Sequence, residues 1–262
     1  MGIPADPFSR KARRRDAALR RASRRRHDGH DRLAWLALSN RPLKPATTML
    51  IVHHLRRSQS ERIVWLCEEL GLDYELRCYE RNASDLLAPP SYKALHPMGI
   101  APVITDGDLV LGESGAIVEY LLARHGPGGL ARGPEHADFA SYLYWLHFAN
   151  GTLQPTLGRN MIIRRIGLPV EHPVAASMRA RLELVLSQVE ARCAQATYLA
   201  GAGFSAADIM CVFSLTTMRS FCPVDLQPYP AIRAYLQQRI GVRDAYRRAM
   251  HKGDPGMAPM LD

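Results

Sequence analysis

The sequence predicts a mixed α/β segment followed by an all-helical segment, joined by a short flexible connection. Three observations lead there. Between residues 49 and 126, β-forming runs alternate with helical periodicity. Residues 125–135 then hold four glycines and two prolines, the composition of a linker. Beyond them apolar residues recur at three-to-four spacing, with no further strand pattern. The expected boundaries are a basic extension over 1–47, an α/β domain over 48–126, a linker over 127–134 and an all-helical domain over 135–262.

Residues 49–55, MLIVHHL, read as a buried strand. The loop RRSQS leads into a helix over 60–70, with Ile63, Leu66, Cys67 and Leu70 on one face, Glu61 suited to the dipole at its start and Gly71 as its stop. Residues 74–80 alternate as a strand. After a Pro-rich stretch with a short helical piece at 91–95, APVIT and DLVLG flank Asp106-Gly107 as a hairpin. A helix over 115–124 follows. The order β-α-β-(α)-β-β-α is thioredoxin-like. Helices are then expected at 135–150, 157–166 after a loop holding Pro155, 174–195, 205–220, 231–240 and 243–250. Ser205 and Asp208 have the S-x-x-D spacing of a capping box, with Phe204 and Ile209 placed as a hydrophobic staple.

The formal net charge of +9 is confined to one end. Residues 1–47 hold 13 basic and 4 acidic residues, and 48–262 hold 21 of each. The expected state of that extension is a solvated, disordered tail. Met49 opens the first strand and offers an alternative start of translation. A neutral globular part argues against nucleic acid as a partner. No apolar run is long enough to span a membrane. Five cysteines without a C-x-x-C predict reduced thiols in a cytoplasmic setting. No H-x-x-x-H or H-E-x-x-H pattern occurs, and no metal site is expected.

The densest chemistry lies in HPMGIAPVITDGDLVLGESGAI, residues 96–117. Pro102 opens a strand as either a trans or a cis proline. A cis bond would turn the Ala101 N–H and C=O toward an extended peptide ligand. Glu113 and Ser114 stand at a helix start, where they serve either as a cap or as a site for a zwitterionic amino-acid head. In the loop after the first strand, Ser58 and Ser60 are placed to donate to a thiolate, with Ser60 equally suited to N-capping.

Together the runs SQSERIVWLCEELGLDYEL, HPMGIAPVITDGDLVLGESGAIVEYLLARHG and FSAADI resemble the glutathione S-transferase superfamily, most closely a bacterial and fungal branch. The resemblance implies glutathione as co-substrate and a cis Pro102. It implies that the Ala101 backbone pairs with the cysteinyl part of glutathione and that Glu113 and Ser114 hold its γ-glutamyl head. Ser58, or Ser60, would stabilise the thiolate for attack on a small hydrophobic electrophile or for peroxide reduction. Many relatives carry Lys or Gln where Ile100 stands, so His96 or a partner-subunit residue takes over the glycyl carboxylate. Tyr142, Tyr144, His147 and Asn150 border the electrophile pocket or else pack the core. A homodimer active in detoxification is implied. The rival readings are a non-catalytic binding protein and a glutathione-dependent disulfide reductase.

Overall fold

A computed structural model describes residues 49–262, and the predicted basic tail lies outside them. Four strands, β1 (Leu50–Leu55), β2 (Tyr74–Tyr79), β3 (Val103–Asp106) and β4 (Leu109–Gly112), form one sheet in the order β2-β1-β3-β4. β1 and β2 run parallel because helix α1 (Glu61–Leu70) crosses between them, whereas β3 runs antiparallel to β1 and β4 returns antiparallel to β3 as a hairpin. α2 (Pro90–Lys93) precedes β3, and α3 (Ser114–His125) follows β4. The rest is helical: α4 (Phe139–Phe148), α5 (Gln154–Arg165), α6 (Pro173–Gln195), α7 (Ala206–Leu215), α8 (Pro230–Tyr235) and α9 (Asp244–Gly253). This is the thioredoxin-like sheet plus helical region that the sequence predicts.

One difference bears on function. The loop expected around Pro155 is absent. α4 and α5 join through a π-helical turn, Ala149–Leu153. Proline lacks the N–H that would bond one turn back, and it is tolerated in the first turn of α5 where that donor is not needed. The wider turn absorbs the mismatch without a break and aims Asn150 inward.

The core runs from the sheet through α1 into α7, which is buried along its whole length. Trp65 of α1 packs against Phe204 and Tyr246. Arg243 pairs with Glu69 at 2.7 Å through both Nε and Nη2 while lying over the Phe204 ring. Arg248 and Lys252 reach Glu68. α9 is thereby fastened along α1, and the residue that follows it, Asp254, reaches the end of β1.

The predicted capping box at Ser205 is present. Asp208 accepts from the Leu199 and Ser205 N–H groups, the Ser205 hydroxyl and the Tyr235 hydroxyl. Burial raises its carboxyl above the ordinary range even though those bonds favour the charged form. Each buried donor left unpaired costs about 1–3 kcal/mol. Asp208→Ala is therefore expected to lower the unfolding free energy by roughly 3 kcal/mol or more in urea titrations.

Candidate active site

Arg62, in the first turn of α1, is fully buried. Its Nη1 lies 2.9 Å from Gln59 Oε1, 3.0 Å from Asn150 Oδ1 and 3.2 Å from Ser114 Oγ. A guanidinium only donates, which fixes the Asn150 amide with its oxygen toward Arg62 and its nitrogen 3.0 Å from Ser114 Oγ. Two donors thus converge on the Ser114 hydroxyl oxygen, and its own O–H remains to donate elsewhere. Arg62 Nε and Nη2 have no hydrogen-bond partner among the described residues. Burial lowers the Arg62 pKa to about 10, still charged at neutral pH, with the Phe213 ring 5.1 Å from its guanidinium carbon. An under-compensated cation beside a free hydroxyl at the start of α3 is an environment for a carboxylate. The Arg62 signal is in the spacing, since it stands one turn before Leu66 on the apolar stripe, where a charge needs buried partners.

Glu113 has φ of +68°, the left-handed region, immediately before α3. His96 packs over Gly112, where an added Cβ would meet its ring at 3.4 Å. The Ala101–Pro102 peptide is cis, and the Ala101 carbonyl accepts from Gln59 Nε2 at 2.7 Å. Gln59 Oε1 also accepts from Gln154 at 3.2 Å.

Ser58 and Ser60 are both buried, with their hydroxyl oxygens 2.8 Å apart. Ser60 occupies the N-cap position, but its side chain does not cap α1. It turns back to β1, accepting from Leu55 N at 3.1 Å and lying 2.9 Å from His54 Nδ1. Ser58 lines a cavity of about 340 Å3 together with Gln59, Ile100 and Ala101. Met161, Phe213, Met218 and Phe221 line the same cavity, as do Arg57, Arg81 and Arg165.

Tyr142, Tyr144, His147 and Asn150 are not among the residues that line this cavity. Tyr142 is buried in the core. Tyr144 stacks on Phe148 with half its surface open, and His147 is exposed. Asn150 belongs to the Arg62–Ser114 cluster. These positions lie on α4 and its extension, whereas the cavity wall comes from α5, α7 and the segment after α7. Helical periodicity could mark each helix face as apolar but could not say which face meets Ser58. A separate cavity of about 510 Å3, between α5, α6 and residues 222–229, contains none of the candidate residues. Among the described residues no cluster of His, Cys, Asp and Glu has the makings of a metal site.

The family model described as glutathione S-transferase, N-terminal domain, matches residues 57–124, and the C-terminal domain of the same family matches residues 159–240. Glutathione S-transferase 3 of Schizosaccharomyces pombe is 31% identical over 220 residues, covering 78% of this chain and 88% of that protein. The chain belongs to the glutathione S-transferase family. A crystal structure of a glutathione S-transferase from Actinobacillus pleuropneumoniae aligns with a TM-score of 0.71 at 33% identity, over 80% of this chain and 97% of that one. A glutathione S-transferase-I bound with the ligand lactoylglutathione aligns with a TM-score of 0.59 at 25% identity, over 77% of this chain and 98% of that one. Membership makes glutathione the co-substrate and the chain a glutathione transferase.

The transferase also buries an acid beside the site. Glu61 is pushed up to about 8, first by burial, with Asp254 adding to it and a Thr217 hydrogen bond opposing it. It is therefore largely protonated at neutral pH and does not supply the dipole charge expected of it. An acid whose folded pKa exceeds its unfolded value removes stability as pH rises between the two, because the unfolded chain ionises first. Here the window runs from 4.5 to about 8. Glu61→Gln is expected to melt higher than the parent at pH 8 and to lose that advantage near pH 5, as read by thermal denaturation at both pH values.

Proposed function

We propose that this transferase activates the glutathione thiol with the Ser58 hydroxyl and adds it to an apolar electrophile that carries an anionic group. The observation that carries the first part is the placement of Ser58. It lines the same cavity as Ala101, whose carbonyl and cis peptide suit pairing with the cysteinyl part of glutathione. The Ser114 hydroxyl, with the Arg62 charge behind it, suits the γ-glutamyl carboxylate, and Glu113 suits the ammonium. Gln59 must release the Ala101 carbonyl for the tripeptide to pair there. A cytoplasmic homodimer is the assembly that fits the family and the five free cysteines.

The second part rests on the wall. Met161, Phe213, Met218 and Phe221 offer an apolar surface. Arg81 spends its donors on the Arg56, Arg57 and Leu86 carbonyls. Arg57 and Arg165 have no carboxylate partner among the described residues, and Asp85, the acid in that lining, accepts from Leu87 N. Arginine charge beside apolar and aromatic side chains in one lining suits amphipathic anions.

A thiolate hydrogen bond of about 1.5–3 kcal/mol sets the expected loss. Ser58→Ala should lower kcat/KM about 10- to 100-fold while leaving the affinity for S-methylglutathione nearly unchanged, and unchanged turnover would remove Ser58 from the role. Arg165→Ala should raise KM about fivefold for a carboxylate-bearing electrophile and leave that for its neutral ester alone, an effect of about 1 kcal/mol. A rise in KM for glutathione instead would assign that charge to the glycyl carboxylate, which Ile100 cannot bind.

A further inference from the structure

Four buried side chains form a continuous hydrogen-bonded chain from the cavity to the end of α9. Ser58 Oγ lies 2.8 Å from Ser60 Oγ, Ser60 Oγ 2.9 Å from His54 Nδ1, and His54 Nε2 3.1 Å from Asp254 Oδ2. All four are at most 5% exposed. Ser58 lines the cavity described above, and Asp254 lines a different groove together with Arg56, Arg57, Glu80 and Ser220. The chain therefore connects two openings.

With a neutral His54 ring, the proton directions follow in turn from the partners. Asp254 also accepts from the Arg57 N–H, and these bonds outweigh burial and hold its carboxyl below the ordinary range. It is an anion, so His54 donates to it through Nε2 and a neutral ring accepts at Nδ1. Ser60 then donates to His54 at 2.9 Å, with the Leu55 carbonyl a longer second acceptor at 3.3 Å. Its lone pairs take the Leu55 N–H and the Ser58 O–H. Ser58, which lines the cavity, accepts from Ser60 N at 3.2 Å and has one lone pair left. In this state Ser58 has no proton to offer a thiolate, but it can accept one from a thiol.

We infer that His54, held by Asp254, takes the glutathione proton through Ser60 and Ser58. This rests on the reading that Ser58 faces the sulfur. The S–H proton passes to Ser58 Oγ as the Ser58 proton passes to Ser60 and the Ser60 proton to His54 Nδ1. One S–H bond breaks and one N–H bond forms, and each serine loses and gains one proton. The result is a thiolate that receives the Ser58 O–H and an imidazolium paired with the Asp254 carboxylate. No group gains or loses a hydrogen bond, so little reorganisation is required. The other charged or titratable groups around the His54–Asp254 pair are Arg56, whose Nη1 donates to the Gly253 carbonyl, Arg57, the protonated Glu61, and Cys78, the register partner of His54 on β2. His53, on the opposite face of β1, bonds Tyr79 and Thr105 and takes no part. His54 and Asp254 are thus positioning residues that also hold the displaced proton.

The test uses His54→Asn, whose amide oxygen can still accept from Ser60 but cannot take a proton, and Asp254→Asn, which keeps an acceptor for His54 but removes the charge. Thiolate formation by bound glutathione is followed by its ultraviolet absorption against pH, with S-methylglutathione affinity and melting temperature measured alongside. In both variants the thiol titration should move up by about one to two pH units, a 10- to 100-fold loss of thiolate at fixed pH, with S-methylglutathione affinity preserved. A folded His54→Asn protein with the parental titration overturns the relay. If Ser58→Ala shifts the titration and neither relay variant does, Ser58 keeps its role and the relay fails. If Ser58→Ala leaves the titration in place, the reading beneath the relay fails as well.

Discussion

Burying the Arg62 guanidinium is the constraint from which the site follows. A charge taken out of water requires several kcal/mol of compensation. Here it comes from oxygens on three separate pieces of chain: Gln59 in the loop before α1, Ser114 at the start of α3, and Asn150 in the π-helical turn. None of these is a carboxylate, so the cluster keeps a net positive charge. The sheet and the helical region are thereby joined at a point that remains attractive to an anion, and the same contacts leave the Ser114 O–H as a donor.

A second constraint is the left-handed turn at Arg57, with φ of +53°. A non-glycine residue in that region costs on the order of 1 kcal/mol or more. Two distant groups hold it. Asp254 receives its N–H, and Arg81 donates to its carbonyl. The turn in its place sends Ser58 into the cavity, whereas an extended loop would carry the hydroxyl away from Ala101.

Much of this was legible in the chain because it is locally encoded. The strand and helix order, the hairpin at Asp106-Gly107, the stop at Gly71 and the Ser205–Asp208 cap each depend on a few neighbouring residues. Glu113-Ser114 and Ala101-Pro102 stood out for the same reason. What was not legible depends on contacts far apart in sequence. Asn150 is a plausible pocket residue on α4 until the π turn shows it bonded to Arg62 and Ser114. Phe213 looks like an interior residue of a buried helix, which it also is, Met218 and Phe221 follow that helix, and only the docking of α7 on α1 makes one side of them a cavity wall. His54 reads as half of an unremarkable pair in a strand, because its partner is 200 positions away.

That separation has a consequence for how the site is completed. Asp254 reaches His54 and Arg57 only when α9 lies along α1, a placement set by Arg243 on Glu69, by Arg248 and Lys252 on Glu68, and by Tyr246 against Trp65. Gly253 is part of the fit, since a Cβ there would come within 3.0 Å of His54 Nε2. The last helix thus stabilises the loop before α1 through one carboxylate that serves both the backbone turn and the histidine. Loosening α9 would unfasten the turn, release Ser58 and leave His54 without its counter-charge in a single step. The serine hydroxyl is local in sequence, but its orientation depends on the far end of the chain.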